Sequence, residues 1–149
     1  MTARRPSRKQ ARRDAVFVLS QREVTDLSPA ALLANRATSE GYELDEFTRR
    51  SVAGVIDGQV ALDAELTANS PAWPLSRIAP LERSILRLAL WELRGGETPP
   101  EVAIDEAVRL AKRYSTDEAA ALVNGILAGA LRSGPPPQAA ERGRDGEER

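Results

Sequence analysis

Apolar residues recur at intervals of three and four along most of the chain, the spacing that places them on one face of an α-helix. Ala11, Ala15, Val18 and Leu19 form such a stripe in a helix that begins near Arg8. The spacing as a whole predicts helices over about 8–22, 29–40, 44–67, 80–94, 100–114 and 118–132. No segment alternates with a period of two for long enough to predict a strand. The predicted fold class is therefore all-α, a compact bundle of six or seven helices.

Capping residues, prolines and glycines mark the predicted ends of these helices. Ser7 and Ser28 suit the N-cap position, and Pro29 suits the first helical position. Gly41 suits the end of the second helix. The run Thr98-Pro99-Pro100-Glu101 has the pattern of a capping box, so we expect Thr98 to cap the fifth helix.

The segment from Pro80 to Arg94 is apolar on nearly every side. A helix of this kind is buried on most sides, so we expect it to be the central helix of the bundle. Gly54 and Gly58, four residues apart, predict a place where two helices approach closely. Trp73 lies between prolines and is expected to plug the edge of the core.

The composition argues against an enzyme. The chain has no Cys and no His, which removes thiolate chemistry, the commonest general base and the commonest metal ligand. Neighbouring carboxylates such as Asp105 and Glu106 point about 100° apart on a helix and do not face each other. Gly95-Gly96 lacks the lysine and hydroxyl residue of a phosphate-binding loop. We expect no catalytic residue, cofactor or metal ion.

No apolar run reaches the length of a membrane-spanning helix, and no apolar segment of a secretory signal follows the basic N-terminus. We therefore expect no membrane association and a cytoplasmic location.

Charge is distributed unevenly along the chain. Residues 1–13 carry six positive charges and no acid, whereas residues 14–132 carry 12 basic and 18 acidic side chains. Residues 133–149 combine proline, glycine and charge without periodicity, which is typical of disorder. The predicted organisation is a flexible basic arm over 1–7, one helical domain over 8–132 and a disordered tail over 133–149.

The basic segment favours nucleic-acid binding. Arg8, Lys9, Arg12 and Arg13 fall within an arc of about 140° beside the apolar stripe, so we expect all four to reach solvent together. Guanidinium groups bind phosphates and stack on bases. No internal helix has a basic face for a DNA groove, and single-stranded RNA is therefore the better ligand.

Three runs resemble motifs of the NusB family, in the order and spacing of that family. They are 85–93 (ILRLALWEL), 102–114 (VAIDEAVRLAKRY) and 122–127 (LVNGIL). Arg8 and the run ARRDA at 11–15 resemble the arginine-rich first helix of the family. The resemblance covers about residues 8–132.

This resemblance implies an all-helical fold of two packed helical subdomains. It implies binding to boxA-type single-stranded RNA together with the ribosomal protein NusE, within the RNA polymerase antitermination complex that promotes ribosomal RNA transcription. The implied RNA-binding residues are Arg5, Arg8, Lys9, Arg12, Arg13, Glu118, Leu122 and Asn124. The implied protein-partner residues are Ser20 and Glu82.

The chain departs from the family pattern at three positions. Leu122 replaces the usual Phe, which would remove a stacking surface worth about 1–3 kcal/mol per base. Asp105 replaces the usual Asn, and Ser20 replaces a frequent Tyr near the partner surface. Asn124 and Gly125 match the family motif, and both helix packing and a functional role stay open for them.

The main alternative is a protein-interaction adaptor that binds the ribosomal protein, or a second copy of itself as a homodimer, with weak RNA binding. The missing Phe and the acidic body favour this alternative. An isolated RNA-targeting domain of the kind fused to ribosomal RNA methyltransferases, or a small helical DNA-binding regulator, fits less well.

Overall fold

The computed structural model describes residues 4–137, which form six α-helices and one short 3-10 turn. The helices are α1 (Arg8–Arg22), α2 (Pro29–Glu40), α3 (Glu46–Ala68), α4 (Pro80–Gly95), α5 (Pro100–Tyr114) and α6 (Asp117–Ser133), and the 3-10 turn is Leu75–Arg77. Residues 4–137 contain no strand. The predicted all-α class is confirmed. No helix in this range is long and apolar enough to cross a membrane.

The predicted arm and tail fall partly outside the described residues, which exclude 1–3 and 138–149. Residues 4–7 precede α1, and α6 ends at Ser133, one residue beyond the predicted end of the domain. The division into arm, domain and tail stays a prediction.

Local sequence explains most helix ends. The Ser7 hydroxyl accepts a hydrogen bond from the Gln10 amide, and the Gln10 side chain accepts one from the Ser7 amide, which makes a complete capping box. Ser28 caps α2 by accepting from the Ala31 amide. Gly41 ends α2 in the left-handed conformation with φ +76°, where a side chain would be strained.

The predicted capping box at the start of α5 is wrong. Pro99 occupies the N-cap position, and no side chain caps this helix. The Thr98 hydroxyl instead donates a hydrogen bond to the Glu92 carboxylate at 2.9 Å. The pattern of residues is present, but a buried acid near the end of α4 competes for the threonine.

α4 is the central helix, as predicted. It packs against α1, α3, α5 and α6. Its side chains Ile85, Leu86, Leu88 and Leu90 are at most 2% exposed. Burying an aliphatic side chain of this size stabilises a fold by about 1.5–3 kcal/mol, so the fold depends heavily on this helix.

The helices form two groups that share one core. α1 contacts α2 and α3, while α5 and α6 pack closely on each other beside α4. Buried apolar residues from both groups belong to one continuous cluster.

Ion pairs fix the direction of α1 on α4. Near the start of α1, Arg12 pairs with Glu92 close to the end of α4. After the last turn of α1, Glu23 accepts hydrogen bonds from Arg83 and Arg87 near the start of α4. The two helices therefore run antiparallel.

The two other packing predictions have mixed outcomes. Gly54 is a close-packing site, because a Cβ there would lie 2.1 Å from Nε1 of Trp91. Gly58 is not, since the nearest side-chain atom, in Leu62, lies 3.9 Å away. Trp73 does not plug the core, because its side chain is 51% exposed.

We expect Gly54→Ala to lower the free energy of unfolding by about 1–3 kcal/mol, the usual cost of overpacking a core. Gly58→Ala, four residues along the same helix, is the matched control. It should raise the free energy of unfolding by about 0.5–1 kcal/mol, because alanine favours helix and meets no obstacle. Urea unfolding of both variants checks this, and equal shifts of the two midpoints would contradict the contact with Trp91.

Acid should destabilise the fold through Glu23. Burial alone would raise the pKa of Glu23, but hydrogen bonds from Arg83 and Arg87 outweigh burial and hold the pKa below its ordinary value of 4.5. A carboxyl with a depressed folded-state pKa contributes stability above its unfolded pKa and loses it as the pH falls through the folded value.

We therefore expect Glu23→Gln to be less stable than the parent chain at pH 7 and to lose less stability between about pH 5 and pH 3. Urea unfolding at several pH values measures both effects. A variant with the same pH dependence as the parent would show that other carboxyl groups dominate acid unfolding.

Candidate nucleic-acid interface

The first turn of α1 and the residues before it present exposed positive charge. Arg4, Arg5, Arg8 and Lys9 are all exposed. The capping box at Ser7 fixes the start of the helix, so Arg8 and Lys9 project from a defined backbone. This turn offers a cluster of guanidinium and ammonium donors to a phosphate chain.

Arg12 does not belong to this exposed cluster, and the prediction that four cations reach solvent together is wrong. Arg12 is 6% exposed, and its Nε and Nη2 donate to the Glu92 carboxylate at 2.9–3.1 Å. Glu92 is itself buried and also accepts from Thr98. The helical arc places Arg12 beside the apolar stripe, but the acid that draws it inward is 80 residues away in sequence.

Arg13 is partly buried and engaged with α2. Its guanidinium donates to the Tyr42 hydroxyl at 3.1 Å and lies 3.4 Å from Glu40 and 3.6 Å from Asp14. Burial would lower the pKa of Arg13, but these acids outweigh it and raise the pKa above its ordinary value. The buried Asp14 carboxylate also accepts from Tyr42 and Arg36. A phosphate at Arg13 would have to compete with these partners.

The arm residues lie beside acids. Arg4 and Arg5 line a cleft of about 480 Å³ together with Glu43, Asp45 and Glu46. These carboxylates offset part of the positive potential of the arm. The surface with positive potential is therefore smaller than the number of basic residues in the sequence suggests.

Glu118, one of the predicted RNA-binding residues of α6, lies at the opposite end of α4 from Arg12. Glu118 is exposed in the first turn of α6, near Ser115, whose hydroxyl donates to Glu82 at the start of α4. Arg12 lies at the other end of α4, beside Glu92. Ten residues of α4 separate the two places, a distance of about 15 Å along the helix.

Leu122 lies in an apolar groove that sequence analysis did not predict. The groove has a volume of about 260 Å³ and is lined by α6 and the connector after α3, including Trp73, Gly125 and Ile126. A Cβ at Gly125 would meet nothing within 4 Å, so helix packing does not explain this glycine. Asn124 is exposed, so the packing role left open for it is not observed. The prolines on either side of Trp73 in the sequence do not indicate that its side chain is exposed.

The predicted partner residues and Asp105 have different surroundings. Ser20 is half-buried on α1, and Glu82 is half-buried with one carboxylate oxygen bonded to Ser115. The other oxygen of Glu82 is buried and has no partner within the described part of the chain. Asp105 is exposed, so its charge faces solvent. The roles of Ser20 and Glu82 toward a partner protein stay predictions.

The model of the NusB family matches residues 9–132 of the chain. A transcription antitermination protein NusB from Rubrobacter xylanophilus is 46% identical over 125 residues, which cover 83% of this chain and 89% of that protein. The solved structure of T. maritima NusB has a TM-score of 0.78 at 28% identity, covering 93% of this chain and 99% of that chain.

A solved structure of the antitermination factors NusB and NusE with double-stranded RNA has a TM-score of 0.78 at 23% identity. It covers 85% of this chain and 97% of that chain, and at this identity it supports the fold alone.

Arg12 should matter for stability. We expect Arg12→Ala to lower the free energy of unfolding by about 3–5 kcal/mol, because it leaves the Glu92 carboxylate buried without a counter-ion. Lys9→Ala, on the exposed side of the same helix, should change it by less than about 0.5 kcal/mol.

The double variant R12M/E92L should recover most of the loss, since an apolar pair of similar size needs no counter-ion. Thermal and urea unfolding of the four proteins tests this. An Arg12→Ala variant as stable as Lys9→Ala would show that the ion pair is not buried in solution.

Proposed function

Because the chain belongs to the NusB family of transcription antitermination factors, we propose that it binds boxA-type single-stranded RNA together with the ribosomal protein NusE and so promotes ribosomal RNA transcription. Its curated relatives are transcription antitermination proteins and not enzymes. The RNA polymerase antitermination complex and a cytoplasmic location are parts of the same proposal.

The exposed cations before and within the first turn of α1 carry the proposal. Arg5, Arg8 and Lys9 are exposed on or next to a capped helix start, and the remaining bundle is acidic overall. A polyanion would therefore approach the molecule at this end. Arg13 is a weaker candidate because its acidic partners compete with phosphate. We leave Arg12 out of the RNA contacts because it is buried and paired.

Glu118, Leu122 and Asn124 are proposed as a second RNA contact on α6. All three have some exposed surface. Glu118 lies about 15 Å along α4 from the level of Arg12, so a strand that contacts both Glu118 and the first turn of α1 must pass from one end of the bundle to the other. Extended single-stranded RNA meets this requirement without filling a groove.

NusE is the proposed protein partner, with Ser20 and Glu82 in the contact surface. In a solved structure of similar fold, NusB and NusE occur together with double-stranded RNA, and we extend that pairing to this chain. Glu82 and Ser20 are both half-buried, so part of each side chain can meet a partner.

The apolar groove beside Trp73 favours a second candidate function, a protein-interaction adaptor with weak RNA binding. Half of the Trp73 side chain is exposed, and most of the groove is apolar. Exposed apolar surfaces of this kind often mark protein contacts. The adaptor would bind the ribosomal protein or a second copy of the chain.

A salt titration with a short boxA-like single-stranded RNA tests the leading proposal. Each lost phosphate contact should flatten the slope of log K against log salt by about 0.7. The triple variant R5Q/R8Q/K9Q should therefore bind more weakly and lose up to about 2 from the slope.

The matched control is R109Q/K112Q/R132Q, which removes the same charge from exposed positions on α5 and α6. For this control variant, the slope of log K against log salt should stay close to that of the parent chain. The titration is repeated with NusE, which should tighten binding of the parent chain. Equal slopes for the two triple variants would show that the basic arm does not contact RNA. Binding of NusE by a chain that does not bind RNA would favour the adaptor.

A further inference from the structure

We propose that Arg50 and Trp91, above the buried ring of Phe47, form a slot for one base of the bound RNA, beside the first turn of α1. This inference rests on the proposed RNA binding and adds a base contact to its phosphate contacts. The slot lies on α3 and α4, outside the arginine-rich helix. We call it the aromatic notch.

The aromatic notch combines two rings with two guanidinium groups. Phe47 and Trp91 meet edge to face, with ring centroids 6.1 Å apart and an interplanar angle of 71°. The Arg8 guanidinium lies 4.2 Å from the Phe47 centroid, and the Arg50 guanidinium lies 5.9 Å from the Trp91 centroid. Gly54 lies against the indole of Trp91, where no larger residue fits. The aromatic surface is therefore held rigidly against α3.

A cavity of about 50 Å³ opens between these residues and the end of α4. Its lining includes Phe47, Trp91, Gly95 and Thr98. A Cβ at Gly95 would meet nothing within 4 Å, so the rim is open on that side. This volume admits the edge of a base but not a whole base.

An exposed ion pair closes the mouth of the notch. Arg50 donates to both oxygens of Glu97 at 2.7 and 2.8 Å, and the two side chains are 42% and 66% exposed. Ion pairs this exposed hold weakly. Arg50 can therefore leave Glu97 and stack on an incoming base, which widens the notch.

Charge complementarity identifies the occupant as a nucleotide. Arg8 and Arg50 place positive charge over the two rings, while Glu92 is paired with Arg12 and Glu97 only with the exposed Arg50. Cations over aromatic rings suit a ligand that has both a π-face and a phosphate. A purely apolar side chain of a protein would gain nothing from these cations.

The experiment uses the two tryptophans of the chain, Trp73 and Trp91. The variant Trp73→Phe leaves Trp91 as the only tryptophan, so its fluorescence reports on the notch. Titration with the boxA-like RNA should quench Trp91 emission with the same affinity that fluorescence anisotropy of labelled RNA gives.

Two substitutions on the rim should act in opposite directions in this background. Arg50→Gln should weaken binding about five- to tenfold, the effect of losing one cation stacked on an aromatic group. Glu97→Gln should tighten binding about two- to fivefold, because it frees Arg50. The exposed residues Arg109 and Glu101 provide matched controls, and Arg109→Gln and Glu101→Gln should each change binding less than their counterparts. In a set of RNAs that each carry one abasic site, the RNA that lacks the base of the notch should quench Trp91 least. With that RNA, Arg50→Gln should weaken binding less than it does with the intact RNA.

The outcomes separate the notch from the proposed function. RNA binding that depends on Arg8 and Lys9, with unchanged Trp91 emission and with Arg50→Gln equal to Arg109→Gln, would overturn the notch and leave RNA binding in place. No RNA binding by the parent chain, with or without NusE, would overturn both.

Discussion

The fold depends on how α1 is fixed to the buried helix α4. Two charge clusters of opposite polarity join these helices, Arg12 with Glu92 at one end and Glu23 with Arg83 and Arg87 at the other. Removing charges from water is costly, so these pairs contribute less to net stability than their short distances suggest. Their main effect is on alignment. A reversed α1 would place Arg12 near two arginines and Glu23 near a buried acid, and such an arrangement is strongly unfavourable.

This alignment determines which charges meet a ligand. Because α1 runs antiparallel to α4, its basic first turn lies at the end of α4, next to α3 and the loop before α5. Arg12 is used to hold the helix, and Arg13 is engaged by acids. Fewer cations are therefore free for phosphates than the composition of the arm suggests. The exposed cations Arg8 and Lys9 are held on a defined backbone, because the capping box at Ser7 and the buried pair of Arg12 and Glu92 fix the first turn of α1.

Local rules predict the helices of this chain better than its surface. The caps at Ser7 and Ser28 depend on neighbours in sequence, and both predictions are confirmed. The predictions for Arg12 and Thr98 are wrong because both residues bind Glu92, an acid whose position only the packed bundle determines. The prediction for Trp73 is wrong for a related reason: an aromatic residue is usually buried, and only the course of the connector between α3 and α4 leaves this one exposed. For the nucleic-acid interface, the sequence predicts which types of residue are present, but it does not predict which of them are exposed.

Phosphate contacts position a protein on RNA but do not distinguish sequences. Discrimination must therefore come from surfaces that meet bases, and Leu122 offers no aromatic face on α6. The partly exposed Trp91 and the exposed Trp73 belong to separate surfaces, one formed by α3 and α4 and the other by α6 and the connector. Of the two, the notch at Trp91 lies beside the cations of α1, because the Arg8 guanidinium covers the ring of Phe47 below it. In the proposed complex, selectivity would arise from which base enters the notch when the neighbouring phosphates lie on the first turn of α1.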